Sequence, residues 1–158
     1  MSEQRVSVGK SFALSIAHRL PNYDGPCVNI HGHTYKLELE FFGVPNWGDD
    51  DMLIDFHQID DLVHHKAPYG AENLSIMSLD HTLVVSSEDP ISDSVGGIAR
   101  VIKLDNSSPT SEALLLFIAN RIRAAVRSKP ELRQRISTVT ITLWESERTF
   151  ARLCTQTL

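Results

Sequence analysis

The sequence predicts an α+β domain spanning residues 1–158, with the element order strand, strand, helix, insertion, helix, strand, strand. Two observations carry that order. Apolar residues recur at every second position near both ends of the chain, and at helical spacing in two middle segments. Pro- and Gly-containing stretches punctuate the chain between these patterns.

Val6, Val8, Phe12, Leu14 and Ile16 alternate with polar or small residues, interrupted only by Lys10, and His18 continues the same row. This reads as one half-buried strand ending near His18. After the turn-rich Pro21-Asn22-Tyr23-Asp24-Gly25-Pro26, Tyr35, Leu37, Leu39 and Phe41 alternate with Thr34, Lys36, Glu38 and Glu40, and His31 and His33 lie on the inward row. The two strands make an antiparallel pair. Asp55 caps a helix with Gln58 three residues on, and Phe56, Ile59, Leu62 and Val63 form its stripe to about Lys66, before Pro68 and Gly70.

Between residues 83 and 105 the strand-like Thr82–Val85 and Ile98–Leu104 flank a polar loop with Pro90 and Gly96-Gly97, which reads as a hairpin-like insertion. Pro109 is expected at the first position of a second helix carrying Leu114, Leu115, Phe117, Ile118, Ile122 and Val126, with Pro130 ending it. Val139, Ile141 and Leu143 alternate with threonines, and a last strand runs from about Thr149 to Gln156.

Composition excludes several classes of function. With 42% hydrophobic and 22% charged residues the chain suits a soluble domain, and no apolar run reaches the roughly 20 residues of a membrane span. The N-terminus lacks a secretory pattern, so a cytoplasmic location is expected. Cys27 and Cys154 alone make no disulfide framework, and a net charge of -5 without a basic cluster argues against a nucleic-acid partner.

His31-Gly32-His33 is the sharpest chemical feature, because residues two apart on a strand project to one side and can chelate one ion. Gly32 keeps bulk from between them. A paired strand ending at His18 adds a third imidazole and leaves a fourth position open, as in a catalytic zinc site. Imidazoles also suit iron, copper or nickel. His57, His64 and His65 fall mostly on the polar side of the first helix and are read as solvated.

Cys27, four residues before His31, is either a thiol made acidic by a nearby cation or an inert loop residue. Cys154 is expected to pack as a small apolar residue. Asp80-His81 reads as a proton relay if folded onto the site and as a surface pair otherwise. Glu145 extends the Val139, Ile141, Leu143 row: inside, it can accept two parallel N–H bonds from a heterocycle, whereas a strand ending one residue early leaves it in water. Glu112 is accounted for by the helix dipole.

Taken in order, Phe12-Ala-Leu-Ser-Ile-Ala-His18-Arg-Leu, Tyr23-Asp-Gly-Pro-Cys27-Val-Asn-Ile-His31-Gly-His33, Ile54-Asp-Phe56, Leu79-Asp80-His81, Pro109-Thr-Ser-Glu112 and Trp144-Glu145 resemble the 6-pyruvoyltetrahydropterin synthase and 6-carboxytetrahydropterin synthase family over nearly the whole chain. The resemblance implies the tunnelling fold: a four-stranded antiparallel sheet with two helices on one face, in the order ββααββ, whose sheets close into a barrel between subunits. A homohexamer built from two trimers, with sites at subunit interfaces, is implied with it.

By position, the resemblance makes His18, His31 and His33 zinc ligands, Cys27 the general base, and Asp80 and His81 a second proton-transfer group. Glu145 becomes the pterin anchor, with Thr110 and Glu112 lining the pocket. The implied substrate is 7,8-dihydroneopterin triphosphate. The short Cys27-to-His31 spacing resembles the carboxy branch, which releases acetaldehyde and triphosphate and gives 6-carboxy-5,6,7,8-tetrahydropterin on the route to queuosine.

Pyruvoyl-type triphosphate elimination and a non-catalytic pterin-binding oligomer are the alternatives. The chain departs from the family pattern after His81, where Thr82-Leu-Val-Val replaces the common continuation and the segment to Asp105 is longer. Arg19, Lys36 and Lys103 are the candidate triphosphate cations.

Overall fold

Residues 4–66 and 74–156 are described by the computed structural model of the chain. Strand β1 (Val6–His18) pairs antiparallel with β2 (His31–Gly43) along its whole length, so Phe12 faces Leu37 and His18 faces His31. The alternation read from the sequence is realised residue by residue: Leu14, Ile16, Tyr35, Leu37, Leu39 and Phe41 are all buried. Each such aliphatic side chain contributes roughly 1.5–3 kcal/mol when withdrawn from water.

Helix α1 (Phe56–His64) begins at the Asp55 capping box with Gln58 and buries Ile59, Leu62 and Val63. Phe56, expected on that stripe, is 58% exposed, because at the first helical position it precedes the turn that meets the sheet. Pro68 and Gly70 lie outside the described residues.

The segment after His81 departs from the expected hairpin. Strand β3 (Thr82–Ser86) pairs parallel with the end of β1, and β4 (Val101–Leu104) pairs parallel with β3. Parallel neighbours need a crossover of about a dozen residues, which a tight turn cannot supply. Residues 87–100 provide it and carry the short helix α2 (Ile91–Val95). The sheet therefore has six strands rather than four, in the order β4-β3-β1-β2-β5-β6.

Helix α3 (Ser111–Arg127) starts later than expected from Pro109. The Thr110 side chain accepts from the Ala113 N–H at 3.2 Å and fixes the N-terminus there. Pro130 opens a further short helix, α4 (Pro130–Arg135), its ring suiting a first helical position. Among the described residues four α-helices stand where two were expected. Strand β5 (Ile136–Trp144) then pairs antiparallel with β2 and with β6 (Phe150–Gln156).

Helices α1 and α3 cover one sheet face, where Ile59, Leu62, Leu114, Ile118 and Ile122 join the inward rows of β1, β2 and β5 in one hydrophobic cluster. The opposite face is polar, with Ser7, Ser11, Glu38, Thr140 and Arg152 bordering a cavity of about 430 Å³. Cys154 lies exposed on β6, against the expectation that it packs inside, because alternation there sends Leu153 and Thr155 inward instead. No helix among the described residues is long and apolar enough to cross a membrane.

Candidate metal centre and active site

His18 and His31 are direct cross-strand partners, and His33 sits opposite Ile16, one same-face step from His18. Register alone thus gathers three imidazoles at the end of the helix-covered face. Their ring centroids are 4.5, 5.3 and 5.1 Å apart, and one nitrogen from each lies within 4.8 Å of the others. Among the described residues this is the only such cluster.

The second contacts of the rings fix their tautomers. His18 Nδ1–H donates to the Pro109 carbonyl at 2.7 Å, and His31 Nδ1–H donates to the Asn29 carbonyl at 2.9 Å. Each leaves Nε2 as a lone pair. His18 is 3% exposed, yet its Nε2 has no hydrogen-bond partner, as does the buried Nε2 of His33. Buried polar atoms are seldom left so, and two convergent orphan nitrogens fit a soft divalent cation. Burial, first among the causes, also lowers the His18 pKa, and the neighbouring imidazoles add to it, so the ring is held in its neutral, ligating form.

Glu145 stands beside this cluster. Strand β5 ends at Trp144, one residue early, but the carboxylate turns inward: Oε1 is 3.6 Å from His33 Nε2, Oε2 accepts from the Ser111 hydroxyl, and Tyr35 Oη lies 3.5 Å away. The Tyr35 pKa is raised, first by burial and then by the charge of Glu145, so its hydroxyl stays protonated and can donate. Cys27 lies in a 3-10 turn (Pro26–Val28) and is half-buried.

Asp80 and His81 form a separate pair. Asp80 Oδ1 accepts the Ser15 N–H at 2.7 Å, which is the main cause of its lowered pKa, and Oδ2 receives His81 Nδ1–H at 2.9 Å. His81 has φ 56° and an 80% exposed side chain, and it is not one of the clustered histidines. The remaining expected residues are placed otherwise. Thr110 is engaged as the α3 cap, and Glu112 is exposed in the first turn of that helix.

The candidate phosphate cations are all paired: Arg19 with the buried Asp89 at 2.9 Å, Lys36 with Glu38 at 2.6 Å and Lys103 with Asp93 at 3.6 Å. Sequence reading missed Pro109, Asn29, Ser111 and Tyr35 as parts of the site. Ser111 sits inside the Pro109-to-Glu112 motif and Tyr35 continues the row of His31 and His33, so each carried a signal. Pro109 and Asn29 lie in the same motifs, but a contact to a backbone carbonyl leaves no side-chain signal.

A family model described as 6-pyruvoyl tetrahydropterin synthase matches residues 7–155. The chain belongs to the 6-pyruvoyl tetrahydropterin synthase family. Within it, a Haemophilus influenzae protein named 6-carboxy-5,6,7,8-tetrahydropterin synthase is 28% identical over 152 residues, covering 90% of this chain and 94% of that one. An Aquifex aeolicus protein of the same name is 25% identical over 126 residues, covering 76% and 70%.

The crystal structure of 6-pyruvoyl tetrahydropterin synthase from Plasmodium vivax superposes with a TM-score of 0.65 at 16% identity, covering 97% of this chain and 99% of that one. This likeness establishes the tunnelling fold of the family.

Proposed function

We propose that this protein is a zinc-dependent synthase converting 7,8-dihydroneopterin triphosphate and water to 6-carboxy-5,6,7,8-tetrahydropterin, with release of acetaldehyde and triphosphate. The carrying observation is the His18, His31 and His33 cluster, with orphaned buried nitrogens, set beside the Glu145 carboxylate. A metal with an open position and an acceptor for a heterocycle edge then share one pocket. The names of the relatives and the Cys27-to-His31 spacing favour the carboxy product. A cytoplasmic place in queuosine synthesis goes with that product.

His18, His31 and His33 would hold the ion. When bound, zinc polarises the substrate's side-chain hydroxyls and acidifies neighbouring C–H positions. Cys27 takes a proton from the side chain as general base. His81, whose Nδ1–H is held by the ionised Asp80, presents Nε2 for the second proton transfer. Glu145 accepts two N–H bonds from the pterin ring, with Ser111 and Tyr35 orienting its carboxylate.

The exposure of His81 and its place outside the histidine cluster favour a site completed between subunits, in a homohexamer. Thr110 and Glu112, at the start of α3, belong to the pocket wall in that assembly.

The test is to incubate the zinc-loaded protein with dihydroneopterin triphosphate and identify products by mass spectrometry. Acetaldehyde together with 6-carboxytetrahydropterin is expected. Pyruvoyl product without acetaldehyde overturns the assigned branch, and no turnover with retained pterin binding makes the protein a binder.

A further inference from the structure

Residues 19–30 form the loop between the two strands that carry the histidine cluster, starting one residue after His18 and ending one residue before His31. The same loop carries Cys27. None of its residues is buried, and Tyr23, Val28 and Ile30 are exposed. Apolar burial therefore gives this loop little anchorage, and polar contacts must hold it.

The root of the loop is closed by one backbone bond, in which the Leu20 N–H donates to the Cys27 carbonyl at 2.8 Å. Further along, the Tyr23 N–H donates to the Leu20 carbonyl and the Val28 N–H to the Gly25 carbonyl, both at 3.1 Å. These bonds hold the shape of the loop but not its place on the protein. Its place depends on Arg19, whose Nε lies 2.9 Å from Asp89 Oδ2. Among the described residues this is the one ion pair between the loop and the rest of the chain.

Asp89 is a fixed point. Its side chain has no exposed surface, its Oδ1 accepts the Ile91 N–H at 3.0 Å, and its own N–H donates to the Ser86 carbonyl at 3.0 Å. The Ser92 hydroxyl donates to its carbonyl at 3.1 Å. A buried carboxylate needs a charged partner, and Arg19 supplies it. Strand β3 runs parallel to β1 with Val84 opposite His18, so the chain leaving β3 at Ser86 emerges at the same end of the sheet as Arg19. An antiparallel β3 would have sent residues 87–89 to the other end of β1.

We propose that Asp89 is a positioning residue of the active site: through Arg19 it fixes the root of the loop that carries Cys27. The inserted crossover thereby acts on catalysis without touching substrate. The inference rests on the reading of Cys27 as general base and extends it to what holds that base in place.

Asp89→Asn keeps an acceptor for the Ile91 N–H and removes the charge that grips Arg19. In the zinc-loaded protein, hydrogen–deuterium exchange read by mass spectrometry should speed up about tenfold or more over residues 19–30. Strands β2 and β5, which open only with the whole fold, should stay protected over the same interval. With dihydroneopterin triphosphate, kcat should fall about tenfold to a hundredfold and KM stay within about twofold, because a displaced base impairs proton transfer more than substrate binding. Arg19→Met should reproduce both effects, and the double variant should be no worse than either single one, since all three lack the same contact. Should Asp89→Asn fail to fold, Arg19→Met carries the same exchange test.

Unchanged exchange over residues 19–30 overturns the proposal, as does a loosened loop with wild-type kcat. An equal loss of protection in β2 and β5 also overturns it, because the pair would then be supporting the fold as a whole. So does a rise in KM in Arg19→Met that Asp89→Asn does not share, since Arg19 would then be touching substrate. Loosening confined to residues 19–30 in a protein that does not turn over dihydroneopterin triphosphate supports the anchoring and sinks the assigned reaction.

Discussion

His18 donates its Nδ1–H to the carbonyl of Pro109 at 2.7 Å, so the most buried histidine of the cluster is oriented by the residue that leads into α3. The bond spans 91 positions of sequence. It aims Nε2 at the other two imidazoles, and couples the geometry of the histidine cluster to the docking of α3.

Metal removal should therefore cost stability as well as activity. For an ion present at a hundredfold its dissociation constant, stripping it removes about 2.7 kcal/mol, or roughly 5–10 °C of melting temperature in a domain of this size. Differential scanning calorimetry with and without a chelator measures this. His18→Ala should melt at the same temperature in both conditions, and a chelator effect that persists in that variant would place the ion elsewhere.

The depressed pKa of His18 gives a pH dependence with a definite sign. In the unfolded chain the ring protonates near pH 6.5, whereas burial in the folded state resists protonation, so the unfolded form binds more protons below that pH. The stabilising contribution is complete above pH 6.5 and declines as pH falls through the folded-state value. Urea midpoints of the metal-free protein should drop from about pH 6.5 downward. His18→Gln should flatten that slope, and an equally steep slope in the variant would refute the assignment.

Ser111 and Glu145 make a second separable pair. Glu145→Ala should weaken binding of a pterin by about a hundredfold to ten-thousandfold, since it removes two hydrogen bonds to a charged group, each worth about 1.5–3 kcal/mol. Ser111→Ala should give a smaller loss, because the carboxylate keeps Tyr35 as a neighbour. Fluorescence titration with a pterin, alongside metal analysis, checks both. A loss of zinc equal to the loss of pterin affinity would assign Glu145 to the metal instead.

Asp89 is 2% exposed, faces Arg19 at 2.9 Å and accepts the Ile91 N–H at 3.0 Å, so it ties the start of α2 to the residue after His18. Asp89→Ala leaves a partly buried guanidinium without its partner and should destabilise the fold by about 3 kcal/mol. Denaturant unfolding measures the change. A variant within about 0.5 kcal/mol of wild type would mean that solvent screens the pair.

Sequence alone was enough for the elements whose cause is local. Alternation from Val6 to His18 and from His31 to Phe41 set two strands and the inward side of each, and Asp55 with Gln58 set the start of α1. Three histidines on those inward rows follow from the same period of two, so the cluster was legible before any pairing was known. Pro109 misled because it satisfies a helix start as well as Thr110 does. The Thr110 contact with Ala113 decides between them only when the turn is formed.

What the tertiary structure decided is everything that depends on the choice of distant partner. The sequence of residues 82–104 contains two short strands, but nothing in their own pattern says whether they lie antiparallel or parallel. Docking of Thr82 to Val84 against Ile16 to His18 made that choice. The same holds for Pro109 on His18, Ser111 on Glu145 and Asp89 on Arg19. Each contact joins a polar group to one far along the chain, and hydrophobic periodicity, which specifies a face but not a neighbour, has no means of naming it.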